Sequence, residues 1–176
     1  MTGARQLLHY PGDFPLRRGG VLPRPTLAYE TWGELNARRD NAVLICTGMS
    51  PSAHAASSAA DPSPGWWEEM VGPGRPIDSN RFFVICVNSL GSCFGSAGPP
   101  SINPATGQAW RLDFPELTLE DVAEGAHAVL EHLGVSRLHT LVGPSMGGMT
   151  ALALAILHPG ISRRLLLLST AARSLP

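Results

Sequence analysis

The chain has 176 residues, 44% of them hydrophobic and 15% charged, with 13 Lys+Arg against 14 Asp+Glu for a formal net charge of -1. That amount of apolar sequence fits one core, so residues 1–176 read as part of a single domain, and the even charge without a basic run excludes a nucleic-acid binder that works by phosphate neutralisation. Apolar runs such as Leu165 to Leu168 fall far short of the roughly 20 residues a bilayer span needs, and the N-terminus, with Arg5 and Asp13 inside it, has no signal-peptide core, so the expected location is the cytoplasm.

In chain order, Thr26 to Thr31 reads as a strand with Leu27, Tyr29 and Thr31 at alternate positions. Ala42 to Thr47 and Phe82 to Asn88 are short continuous apolar runs bounded by turn residues, the pattern of strands buried on both faces. Thr118 is placed to cap a helix, with Glu120 and Asp121 in its first turn. Val122, Ala126, Val129, Leu130 and Leu133 then recur at helical spacing until Gly134 stops it. His139 to Val142 predicts a further strand, Ser145 to His158 a helix ended by Pro159-Gly160, and Arg164 to Ser169 a last strand. Strands alternating with helices at crossover lengths predict an α/β fold with a mainly parallel sheet.

Ser50 to Asp78 and Gly91 to Phe114 are rich in Gly, Pro, Ser and Asn, and each follows the C-terminal end of a predicted strand. Loops there surround the usual ligand crevice of an open α/β sheet. The sequence stops at Pro176 just after a strand, which would leave one apolar sheet face uncovered; the expectation is the N-terminal part of something longer. Cys46 and Cys86 sit in apolar runs as small buried hydrophobes, whereas Cys93 lies in a Gly/Ser loop. With no CxxC or HxxxH spacing, no metal site is expected.

The sharpest chemical signal is Gly143-Pro144-Ser145-Met146-Gly147-Gly148, which fits G-x-S-x-G between a predicted strand and an Ala/Leu-rich helix. A serine at the apex of such a turn is presented as a nucleophile, and the helix N-terminus behind it favours negative charge. The alternative reading is a tight β-α turn that merely contains serine; the agreement of strand, motif and helix favours Ser145 as nucleophile. Thr47-Gly48-Met49-Ser50-Pro51 follows an earlier strand in the right order to supply a second oxyanion donor. The candidate donors are therefore the backbone N–H groups of Met49 and Met146, Pro51 having none. A base is missing. His158, the one histidine after Ser145, lies thirteen residues further along the same helix, and no Asp or Glu follows Ser145 at all. At about 1.5 Å per residue, thirteen residues put it roughly 20 Å away. Among the others, His54 is the one that would line the pocket.

These residues resemble the homoserine O-acyltransferase family of α/β-hydrolase-fold enzymes, which includes homoserine O-acetyltransferases. The resemblance is carried by Leu27-Ala28-Tyr29-Glu30-Thr31-Trp32-Gly33, Gly65-Trp66-Trp67, Val71-Gly72-Pro73-Gly74, Pro76-Ile77-Asp78, Asn88-Ser89-Leu90-Gly91-Ser92-Cys93, Ser101 to Gly107, Leu112-Asp113-Phe114-Pro115 and the elbow. It implies that the chain is the N-terminal portion of an α/β-hydrolase domain, and that Ser145 is acylated by an acyl-CoA and passes the group to an amino-acid hydroxyl in cysteine or methionine biosynthesis. It implies acyl-CoA (succinyl-CoA or acetyl-CoA) as co-substrate with no bound cofactor, L-serine or L-homoserine as acceptor, and a triad Asp and His beyond Pro176. It allows a homodimer in the full-length form. Where acetyltransferases carry a His-Ala-Leu-Thr-Gly-Asp-Ala-His type loop, this chain has Thr47-Gly48-Met49-Ser50-Pro51-Ser52-Ala53-His54-Ala55, which is more similar to the serine O-succinyltransferase branch. Ser50, Pro51, Ser52, Ala53 and His54 are the candidate substrate-binding residues. Pro144 inside the elbow is unusual for the family, but a strand end accepts its fixed φ. A serine hydrolase of the same fold and an inactive fragment lacking half its triad are the competing readings.

Overall fold

The computed structural model describes residues 4–172. In chain order the strands are β1 (Gln6–His9), β2 (Asp13–Pro15), β3 (Val21–Pro23), β4 (Thr26–Trp32), β5 (Ala42–Cys46), β6 (Val71–Gly72), β7 (Ile77–Asp78), β8 (Phe83–Val87), β9 (Thr140–Pro144) and β10 (Leu165–Leu168). The helices are α1 (Leu119–His132) and α2 (Met146–Leu157). Among the described residues the main sheet has six strands in the order β1-β4-β8-β5-β9-β10. From β8 to β10 the neighbours run parallel, while β1 and β4 add an antiparallel edge. The mainly parallel α/β sheet is as the sequence pattern predicts.

The two faces are covered differently. Along β5, Leu44 and Cys46 join the core cluster that holds Ala126, Val129 and Leu130 of α1 and Ala151 and Leu154 of α2. Val43 and Ile45 point the other way, onto a cluster with Trp32, Val84 and Val142 against which Trp66, Trp67 and Met70 of the long loop pack. The strands are thus buried on both sides, one side by helices and the other by a loop whose tryptophans stack at 5.2 Å and 12°. Gly65 is forced by this packing, since a Cβ there would run into the backbone of Ala55 and Ala56. At the β10 edge the cover is thin: Leu165, Leu166 and Leu167 are 40%, 44% and 37% exposed.

The capping signal at Thr118 is realised in full. Its hydroxyl accepts from the Asp121 N–H and the Asp121 carboxylate accepts from the Thr118 N–H, a reciprocal capping box. Gly134 ends the helix at φ 65°, a left-handed position that glycine takes without a Cβ penalty. The boundaries of β4, β5, β8, α2 and β10 fall within about one residue of those predicted, and β9 runs two residues further, to Pro144.

Candidate active site

The parallel register brings the ends of three strands to one edge. Cys46 sits beside Val87, and Ile45 beside Val142, so the loops after β5 and β8 and the turn after β9 leave the sheet together. This is the edge at which open α/β sheets hold their ligands.

Ser145 occupies the turn between β9 and α2 at φ 55° and ψ −130°, a left-handed backbone that a non-glycine residue adopts only under constraint. Such a conformation costs about 1–3 kcal/mol and is held by its surroundings. The constraint is visible. The Ser145 N–H donates to the Leu168 carbonyl at 2.9 Å, and the Ser145 carbonyl accepts from the Gly148 N–H at 2.9 Å. The flanking glycines have no room for side chains: a Cβ on Gly143 would strike Gly147 and Gly148, one on Gly147 would strike the Cys46 carbonyl, and one on Gly148 would strike Thr170. Backbone therefore lies on backbone around the serine, and Ser145 itself is exposed.

The loop after β5 closes on this turn. A Cβ built on Gly48 would lie 3.8 Å from both the Ser145 Cβ and the Pro144 carbonyl oxygen, so Gly48 passes within van der Waals reach of the elbow. Met49 and Met146 together line a cavity of about 370 Å³ with Ser89, Leu90, Phe114 and Leu117. Its volume lies in the roughly 300–1,000 Å³ range of small-molecule sites. As the first residue of α2, Met146 has an N–H without an intrahelical acceptor.

Two polar knots that the sequence did not reveal hold this loop. Asn88, fully buried at the end of β8, donates from Nδ2 to the Pro51 carbonyl and to Ser92 Oγ, each at 3.1 Å, while its Oδ1 accepts from the Ser96 N–H at 3.1 Å. Beside it the buried Thr47 hydroxyl bonds the Val87 carbonyl at 3.2 Å and Ser89 Oγ at 3.1 Å. The second knot is ionic. His54 Nδ1 lies 2.8 Å from Glu30 Oε2, Nε2 lies 2.9 Å from the Ser63 carbonyl, and Asp61 stands at 3.9 Å. Burial, the largest single influence, pulls the His54 pKa down. The hydrogen bonds to Glu30 and Ser63 and the charges of Glu30 and Asp61 together outweigh it, so the net direction is up.

His54 therefore has both ring nitrogens engaged, and the ring that the sequence offered as a pocket liner braces its own loop against β4. Of the other candidate substrate-binding residues, Ser50 is exposed and Pro51 is half-buried with its carbonyl held by Asn88. Ser52 is half-buried and accepts the Trp66 indole N–H on its carbonyl at 3.0 Å, and Ala53 is fully buried. Further along the same loop, Glu68 accepts from the Ser57 hydroxyl and from the Ser57 and Gly65 N–H groups, which push its pKa down to about 2. Cys46 and Cys86 are buried as expected, with burial pushing the Cys46 thiol up to about 12, and Cys93 in its Gly/Ser loop is exposed. Arg75 pairs with the exposed Glu69 at 3.2 Å. His158 sits at the far end of α2 with Nε2 3.1 Å from Glu124, as the helix arithmetic required.

Comparison with known proteins agrees with the α/β fold. Residues 41–176 match the family model described as alpha/beta hydrolase fold. The chain is 58% identical over 176 residues to a serine O-succinyltransferase of Litchfieldella anticariensis, covering all of this chain and 48% of that protein. Among solved structures, a homoserine O-acetyltransferase from Bacillus anthracis superposes with TM-score 0.88 at 35% identity, covering 97% of this chain and 48% of that one. Esterase E22 superposes equally well, with TM-score 0.88 at 36% identity and the same coverage. The chain thus spans about half the length of the relatives it matches.

Proposed function

We propose, from the premise that this chain belongs to the alpha/beta hydrolase fold family, that the full-length protein is an acyl-CoA-dependent O-acyltransferase working through a Ser145 acyl-enzyme. The observation that carries the reading is the left-handed Ser145 held between β9 and α2, with the Met49 loop beside it. In the first half-reaction Ser145 Oγ attacks the thioester carbonyl, the oxygen takes negative charge, and the N–H groups of Met49 and Met146 receive it. Loss of one such donor costs roughly a hundred- to a thousandfold in rate. The CoA thiol then leaves with the proton lifted from Ser145. In the second half an amino-acid hydroxyl attacks the acyl carbonyl, gives up its proton, and restores the serine. By likeness to the relatives, of whose length this chain spans about half, the base and its carboxylate partner come from another part of the protein; His158 is held at the opposite end of α2.

The donor is succinyl-CoA and the acceptor L-serine, by likeness to the succinyltransferases. The 50–54 loop limits the space above Ser145, with Ser50 and Pro51 nearest the acceptor and His54 acting through its hold on the loop. Serine is one methylene shorter than homoserine, a difference worth only about 1–3 kcal/mol in a binding site. The likeness to esterase E22 favours a second reading, in which water takes the acyl group.

The test uses the full reading frame, following thiol release from succinyl-CoA and acetyl-CoA with no acceptor, L-serine or L-homoserine. Release that requires an amino acid and falls at least about a thousandfold in Ser145→Ala supports the transferase. Release without an acceptor establishes the hydrolase instead. A tenfold or greater kcat/KM advantage for homoserine overturns the assignment of serine.

A further inference from the structure

Away from Ser145, on the outer side of the helical layer, three side chains from two helices meet. Glu124 and His127 are one turn apart on α1, and His158 caps the C-terminus of α2. One ligand atom from each lies within 4.8 Å of the others. His158 Nε2 is 3.1 and 3.2 Å from the two Glu124 oxygens, and the rings of His127 and His158 stack at 3.7 Å and 14°. We propose that Glu124, His127 and His158 form a binding site for a borderline divalent transition-metal ion, Zn²⁺ being the type, which clips the end of the nucleophile helix to α1.

Four features support it. The donor set, two imidazoles and one carboxylate, suits such ions, and three protein ligands leave a coordination position for water. A Glu and a His at i and i+3 project from one helix face, the arrangement used by helical metal sites. Glu131, one turn beyond His127, places a carboxylate 3.8 Å from its Nδ1, where it would orient the ring and leave Nε2 for the ion. The adjoining cavity of about 440 Å³ is lined by Glu120, Asp121, Glu124 and Glu131, with Arg17 as its one Lys or Arg among the described residues. That charge balance attracts a cation and gives it a way in. Because the rings are parallel, sharing one ion requires one of them to tilt out of the stack. His158 lies beyond the last helical residue, at φ −123° and ψ 75°, and is the freer of the two.

The test is a calorimetric titration of the full-length protein with Zn²⁺ after chelator treatment, followed by Co²⁺ as a coloured substitute. One saturable Zn²⁺ per chain is expected, weakened at least tenfold in Glu124→Gln and in His158→Gln, with altered visible Co²⁺ bands in both. Imidazole nitrogen resonances of His127 and His158 in the unmutated protein should shift together on addition of Zn²⁺, a reading independent of how the variants fold. Absence of saturable uptake, uptake undiminished in both variants, or histidine resonances unmoved by Zn²⁺ would each overturn the site.

Discussion

Gly147 shows how little freedom surrounds Ser145. It lies against the Cys46 carbonyl, an atom of the central strand that has nowhere to retreat. Gly147→Ala should therefore destabilise by at least about 1–3 kcal/mol, the usual cost of overpacking a filled core. Gly160 is the control. It holds φ 85° with nothing within 4 Å of a built Cβ, so Gly160→Ala should cost only the backbone term of about 1–2 kcal/mol. Denaturant melts of the two variants check the ranking, and equal midpoints would mean that the elbow yields more easily than its contacts indicate. His54 makes a different residue-scale prediction. A histidine whose pKa rises on folding contributes stability that is complete below its unfolded value of 6.5 and is lost as pH climbs through the folded value. The stability gap between the native chain and His54→Gln should be wide at pH 5.5 and narrower at pH 8.5. Urea unfolding at the two pH values measures it; a gap that widens with pH would contradict the ionic knot with Glu30.

At the level of elements, β8 does more for the site than supply core. Its end delivers Asn88, whose amide ties the loop after β5 to the loop after β8 through Pro51, Ser92 and Ser96. Asn88→Ala leaves the Pro51 carbonyl and the Ser96 N–H without that partner in a buried setting, at about 1–3 kcal/mol for each group stranded. Because Met49 rides on the same loop, the loss should also appear in catalysis, as a fall in kcat larger than any rise in KM. Steady-state kinetics of the full-length variant test this, and unchanged kcat would show that Met49 is held by other means. The two helices differ in how their sequences specify them. α1 is fixed by its own capping box and glycine stop, whereas α2 is apolar nearly throughout and takes its place from the strand and turn before it.

At the scale of the whole molecule, the β10 edge stands out among the described residues: three consecutive leucines remain more than a third exposed beside a cavity of about 610 Å³ lined by Val43, Ile77, Phe82 and Val142. The 176-residue form expressed alone should bind a hydrophobic dye and self-associate, and replacing Leu165 and Leu167 by threonine should reduce both. Fluorescence and light scattering give the answer, and a dye-silent, monodisperse fragment would show that this edge closes on itself. The parts of this architecture legible in the sequence are those with local causes: the Ala42–Cys46 and Phe83–Val87 runs, the Thr118 cap, and the glycines around Ser145. β2, β3, β6 and β7 were not legible, because two or three residues carry no period and owe their pairing to a neighbour. Nor were the polar contacts. Glu30 lies in a strand as an ordinary acidic residue until His54, 24 positions on, accounts for its burial. The Glu124, His127 and His158 group shows no recognisable spacing because its third member comes from another helix.

The contact between Gly147 and the Cys46 carbonyl has a consequence for how such a protein can diverge. It is made of main-chain atoms, so Ser145 is located by parts of the chain that side-chain replacement does not reach. The loop after β5 is held the other way, by side chains: the Asn88 amide, the His54 imidazole and the carboxylates of Glu30 and Glu68. Changes in that loop can therefore reshape the surroundings of Ser145 without moving the turn that holds it. A scaffold divided in this manner keeps its turn fixed while the neighbouring loop stays open to change.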